Sequence, residues 1–275
     1  MNGYGFLHKL NRKKSEKNDI CILNKNLSIS INSLIDIGGS DGNMTEEITN
    51  FYKIKNSSTL IVDPIKIKSR FKTITPSEFL LIDDQIDMIS CMMSIHHFMG
   101  NFDIMFKKIF QTIKLNGYLL IKEHDVSDDI TMDFLNNVHY IYAKFNNNND
   151  YSTAETNYYS KKDLEKFIIS NGFELINSYS NILYNPQKKY HSIFKKINNI
   201  DYNVICCTVS DHLNIWNTHY LNDEFLLKLL KHYVDDVDDD DDVDDGIDYD
   251  KFILSIRNKN FKDFLSKFKG KKHKI

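Results

Sequence analysis

The segment Leu34-Ile35-Asp36-Ile37-Gly38-Gly39-Ser40-Asp41-Gly42 constrains this chain more than any other. The apolar run over 33–37 reads as a buried strand, and the glycines let the backbone turn sharply. Asn43–Tyr52 then reads as a helix, with Met44, Ile48 and Phe51 on one face. A strand running through a glycine turn into a helix lets a ligand approach the main chain at the positive end of the helix dipole. About 26 residues beyond Ile37, a second apolar run, Thr59–Val62, ends at Asp63-Pro64. The proline stops strand and helix alike. An acid at the end of a second strand is placed to accept hydrogen bonds from ribose hydroxyls.

The elements that follow alternate in kind. Residues 79–82 read as a third strand and Ile86–Met92 as a fourth. Residues 101–115 carry the clearest helical pattern, with Phe102, Met105, Phe106, Ile109, Phe110 and Ile113 on one face and Asn116-Gly117 as the stop. A fifth strand is expected over 118–122, then a helix over 128–145 ended by four Asn and Asp150. Ser160, with Asp163 three residues on, caps a helix over 160–171, which Gly172 ends. The stretches 173–184 and Lys189–Lys196, joined through Asn185-Pro186, read as an antiparallel pair at a sheet edge. Short buried strands alternating with helices predict an α/β fold with a mostly parallel sheet, not a sandwich.

Composition divides the chain into three parts. Hydrophobic residues are 41% and charged residues 27% of 275, enough for one sizeable core. The net charge of −3 hides an uneven distribution: residues 235–250 hold 11 Asp and no Lys or Arg, and without them the balance becomes +8. The expected organisation is a basic leader over 1–32 with a short helix near 5–14, an α/β domain over 33–200, and a small, mainly helical appendage over 201–275 that carries the acidic loop. A basic body favours anionic partners, but Lys, Asn and Ile together make 97 residues, and their codons are A/T-rich. An AT-rich genome, viral or protist, explains that excess without a nucleic-acid partner. Cys21, Cys91, Cys206 and Cys207 show no metal-binding or paired spacing, which fits a reducing, intracellular, cytoplasmic setting. No apolar leader segment or membrane-length run appears, so no membrane partner is expected.

Taken with these motifs, residues of about 30–197 resemble a class I S-adenosylmethionine-dependent methyltransferase of the broad type 11 group. LIDIGGSDG resembles the first motif of that family, with Gly38 and Gly42 at its outer glycines and Ser40 in place of the middle one. DQIDMISCMMSIHHF resembles the fourth-strand motif, and LNGYLLIKEHD the segment leading into the fifth strand, with Asn116 replacing the first of a glycine pair. The resemblance implies a Rossmann-like, doubly wound, seven-stranded sheet with one antiparallel strand and helices on both faces. It implies S-adenosylmethionine as cofactor, with Asp36 and Gly38 at its methionine end and Asp63 at its ribose. Gly39, Ser40, Gly42, Pro64 and Ser94 complete the expected cofactor site.

Ligands of open α/β sheets bind beyond the carboxyl ends of the strands. Three segments should converge there: the glycine turn, residues 93–98 and residues 123–126, with Ser94, His96, His97, Glu123, His124 and Asp125 as their polar content. Methyl transfer from a sulfonium needs chiefly alignment, and a general base only where the acceptor atom carries a proton. His97, Glu123 and His124 are the candidate catalytic residues. A metal site built from Glu123, His124, Asp125 and His139 is not expected, because the spacing fits no standard ligand pattern and strand neighbours point apart. The acceptor, whether small molecule, protein or RNA, is not readable. An RNA-cap ribose methyltransferase would place Lys122 in a Lys-Asp-Lys-Glu set, but the fourth strand ends in SCMMS, without the Asp. A binding module that has lost catalysis is the other alternative.

Overall fold

The computed structural model describes residues 17–25, 27, 29–65, 67–98, 102–127, 131–132, 135, 156–180 and 187–199. The expected helix near 5–14, most of that over 128–145, and everything assigned to the appendage lie outside them.

Seven strands form one sheet: β1 (Leu34–Ile37), β2 (Thr59–Val62), β3 (Lys72–Ile74), β4 (Ile86–Met92), β5 (Ile113–His124), β6 (Phe173–Tyr179) and β7 (Lys189–Lys196). Their spatial order is β3-β2-β1-β4-β5-β7-β6. The first five run parallel, and β7 is antiparallel to both β5 and β6. This is the Rossmann-like, doubly wound arrangement expected from the sequence, with β7 as its one antiparallel strand. The chain leaves β1 toward β2 on one side and returns to β4 on the other, so the order reverses between β1 and β4. In open α/β sheets, ligands bind at such a switch point. Register levels the strand ends there, because Ile37 pairs with both Val62 and Cys91, and Cys91 with Ile121.

Helices α1 (Asn43–Tyr52), α2 (Pro76–Leu80), α3 (Phe102–Thr112) and α4 (Lys161–Ser170) connect the strands. One apolar cluster is dominated by aromatics of α3 and α4: Phe102, Phe106 and Phe110 meet Phe167 at ring-centroid distances of 5.5, 5.2 and 5.9 Å. A second joins Ile48 of α1 to Leu34, Met88, Leu120 and Ile193 of the sheet. Ile20 and Leu23, from a helical stretch over 17–23, and Ile31 are buried in it, so the second half of the expected leader packs into the domain. Among the described residues, no helix is long and apolar enough to cross a membrane, and Cys21 and Cys91 are free thiols.

Two expectations change. The third strand is Lys72–Ile74, not 79–82. Thr75 accepts a hydrogen bond from the Glu78 backbone, the Glu78 carboxylate accepts one from the Thr75 N–H, and Pro76 sits in the first turn. This capping box winds the next residues into α2 and buries the Phe79 ring. The helix expected over 101–115 ends at Thr112, and Ile113 pairs with Ile86 as the start of β5. Asn116-Gly117 is a kink inside that strand: Asn116 has φ 65°, and a Cβ on Gly117 would lie 2.8 Å from the Asp87 carbonyl oxygen. The buried Lys196 ammonium caps the end of α3, donating to the carbonyls of Phe110 and Ile113 at 2.7 Å each.

Candidate active site

The glycine turn is fixed from three sides. The Gly38 N–H donates to the Val62 carbonyl at 2.7 Å, and Gly38 has φ 78°. A side chain there is excluded twice over, since a Cβ would sit 2.5 Å from the Ser94 Cβ. Gly42, φ 81°, precedes α1, and a Cβ on it would meet the Phe71 ring at 3.0 Å. Ser40, standing where the family has glycine, also takes a left-handed conformation, φ 49°. Its N–H donates to Asp63 Oδ2 at 3.0 Å, which offsets part of that strain. Asp63 Oδ1 accepts from the Ile65 N–H at 2.9 Å. Each oxygen of Asp63 retains acceptor capacity, because a carboxylate can take about four hydrogen bonds. Pro64 follows it at the end of β2.

Asp36 lies beneath the turn. It is fully buried, and its two oxygens accept from the hydroxyls of Ser90 and Thr45 at 2.6 Å each. Burial raises its carboxyl to about 6; the two hydroxyl bonds oppose the rise and the nearby Asp63 charge adds to it. Gly39 is packed over this carboxylate, since a Cβ on it would lie 2.9 Å from Asp36 Oδ2. Ser94, after β4, touches the turn at Gly38. Its buried hydroxyl has no oxygen or nitrogen partner among the described residues, and the Cys91 thiol faces it.

Beyond Ser94 the chain makes a short turn, Ile95–His97, entered through Met93 at φ 63°. The turn sends His96 inward and leaves His97 exposed, their rings 4.2 Å apart. His96 Nδ1 lies 2.6 Å from Glu123 Oε1, and the His96 backbone N–H donates to Glu123 Oε2 at 3.2 Å. Burial lowers His96 to about 3, so the ring is neutral at neutral pH and the contact is a hydrogen bond from Nδ1–H to the carboxylate. Glu123 Oε1 also accepts from the His124 N–H at 3.0 Å, and His124 Nδ1 donates to the Gln187 carbonyl at 2.7 Å. The His96 and His124 rings are 5.5 Å apart, and Tyr158 stacks on His96 at 5.7 Å.

The structure therefore brings Glu123 and His124 together with His96, not with the expected His97. Strand neighbours do not point apart here, because β5 ends at His124 and the Glu123 carboxylate folds back over its N–H. Asp125 faces away, accepting from the Lys161 N–H at 2.8 Å. Lys122 is buried beside His191 of β7; burial first, and then the Lys122 charge, lower His191 to about 3. Burial, followed by the Glu123 charge, raises the phenols of Tyr158 and Tyr159. Burial, followed by the Asp36 and Glu123 charges, raises the Cys91 thiol. The Cys91 thiol and the phenols of Tyr158 and Tyr159 are thereby held protonated at neutral pH.

A family profile described as "Methyltransferase domain" matches residues 6–178. The chain belongs to the methyltransferase domain family. No curated protein matches its sequence. Among solved structures, it is similar to a SAM-dependent methyltransferase from Archaeoglobus fulgidus at 14% identity, with 70% of this chain and 100% of that one covered and a TM-score of 0.49. An S-adenosylmethionine-dependent methyltransferase from Clostridium acetobutylicum is similar at 15% identity over 70% of this chain and 97% of that one, with a TM-score of 0.43.

The methyltransferase turn and its surroundings fit S-adenosylmethionine. Gly38 is seated on Ser94, whose buried hydroxyl has no oxygen or nitrogen partner among the described residues, and Asp63 keeps acceptor capacity at the end of β2. These are groups that a nucleoside and an amino-acid moiety can satisfy.

Proposed function

We propose that this chain transfers the methyl group of S-adenosylmethionine to an acceptor held over the carboxyl ends of β4 and β5. The observation that carries the reading is Ser94. It packs against the glycine turn at Gly38 and stands two residues before His96, so it joins the cofactor turn to the polar cluster. When bound, the cofactor supplies an electrophilic methyl on a sulfonium. Asp63 would hold the ribose hydroxyls, Gly38 and Gly39 would give main-chain access, and Ser94 would take a polar group of the methionine portion. Asp36 supports the turn from below, while Ser40, Gly42 and Pro64 shape it. Glu123 orients His96, and with His124 they form the polar wall on the acceptor side. His97 offers an exposed imidazole at its rim. Methyl transfer is mainly an alignment problem, which suits a site rich in fixed hydrogen bonds.

Calorimetric titration with S-adenosylmethionine tests the cofactor half. Wild-type chain should bind at one equivalent, and Asp63→Ala should bind at least ~10-fold more weakly, as loss of hydrogen bonds to a charged acceptor implies. Absence of binding by the wild type would sink the proposal. Transfer of labelled methyl into RNA, protein or small-molecule fractions of a lysate would then name the acceptor class.

A further inference from the structure

The cluster at the end of β5 has a donor set with its own chemistry. One ring nitrogen from His96, one from His124 and one carboxylate oxygen of Glu123 all lie within 4.8 Å of one another. Each of the three residues is 1% exposed. His124 Nδ1–H is committed to the Gln187 carbonyl, which leaves the ring's lone pair on Nε2. Metal-binding histidines are oriented by this kind of bond to a carbonyl or carboxylate. His96 Nδ1 and Glu123 Oε1 already sit 2.6 Å apart, sharing a proton of the kind that a metal ion displaces when it binds two such donors.

We propose that His96, Glu123 and His124 bind one divalent transition-metal ion of the zinc, manganese, iron or cobalt class. Bonds of about 2.0–2.1 Å put tetrahedral donors about 3.3 Å apart, so each donor needs to move by less than about 1 Å from its present place. Two imidazoles and one carboxylate suit these ions, whereas calcium and magnesium prefer all-oxygen sets. Three protein ligands would leave at least one position open. If the methyl-transfer reading holds, that position makes an oxygen-bearing acceptor the fitting class, since bound hydroxyls lose their protons more readily. The metal site itself does not depend on that reading.

The test is uptake of Co2+ by the full chain, followed by visible absorption and calorimetry, with Cu2+ electron paramagnetic resonance as a second measurement on the wild type. The expected result is one tightly bound equivalent with d–d bands and hyperfine coupling from two imidazole nitrogens. Glu123→Gln and His124→Gln should weaken uptake at least ~10-fold, while His97→Ala should leave it intact. Binding with only oxygen ligands would place the ion on the acidic run 235–250 and overturn the site. No stoichiometric uptake, or uptake undiminished in both variants, overturns it too. Titration with S-adenosylmethionine keeps the two ideas separate: a chain that binds the cofactor and no metal refutes only the metal site.

Discussion

Asp36→Asn probes what lies beneath the glycine turn. The Asp36 carboxyl is fully buried and raised from 3.8 to about 6, mainly by burial. The native state therefore binds this proton more tightly than the unfolded chain does. Between about pH 4 and 6 the group removes stability as pH rises, and above 6 the loss levels off. The two pKa values give a native-state penalty of about 0.5 kcal/mol at pH 4 and about 3 kcal/mol at pH 7. Asparagine stays neutral and keeps one oxygen to accept from Ser90 or Thr45, so it escapes the pH-dependent part. Urea unfolding of both proteins at several pH values from 4 to 7, followed by circular dichroism, gives the comparison. The stability of the variant relative to the wild type should rise by about 2–2.5 kcal/mol across that range, at constant denaturant slope. Curves that stay parallel would refute the idea that a buried, charged Asp36 underlies the turn.

Gly38→Ala should cost about 2–4 kcal/mol, from the left-handed φ of 78° and the 2.5 Å approach to Ser94 Cβ. Thermal unfolding should show a fall of at least about 5 °C, and an unchanged midpoint would mean the turn is not seated on Ser94. Phe110→Ala removes a buried ring that meets Phe106, Phe167 and Phe173 at 5.4, 5.9 and 4.9 Å. It should lose about 3–5 kcal/mol in urea unfolding, and a loss below about 1 kcal/mol would contradict this packing.

The central strands were legible because they are buried on both faces and bounded by turn residues. β1, β2 and β4 are continuous or nearly continuous apolar runs, and Asn43–Tyr52 carries a helical stripe right up to its ends. Errors fell where two local signals compete. Phe79 and Leu80 are apolar enough for a strand, but Thr75-Pro76 and Glu78 three residues after the threonine form a helix start, and the cap decides. Ile113 continues the spacing of α3, yet its backbone joins β5, and Asn116-Gly117, read as the helix stop, lies inside that strand. Hydrophobic spacing places a side chain on a face. It does not say whether the backbone has already changed form.

The glycine turn and Asp63 were legible for a different reason from the polar cluster at the end of β5. Gly38, Gly42 and Asp63 act through backbone conformation and strand-end position, and both leave marks in the order of residues. The choice between His96 and His97 leaves no such mark. It is made by Met93, whose φ of 63° rotates the chain after β4 and turns one histidine in and the other out. Methionine is not a residue from which a left-handed conformation is read. The compensating signal lies 27 residues further on. A glutamate followed by a histidine closes β5 just after the apolar run Leu119–Ile121, and a carboxylate buried there needs N–H donors. The N–H of His124 supplies one, and the end of the neighbouring strand β4 is within reach for more. Glu123 takes the backbone and the ring of His96 for that purpose, and thereby selects it over His97. A buried acid at the end of a central strand thus reports the inward residue of the loop beside it, and the same physics makes His96, Glu123 and His124 a single unit instead of three independent candidates.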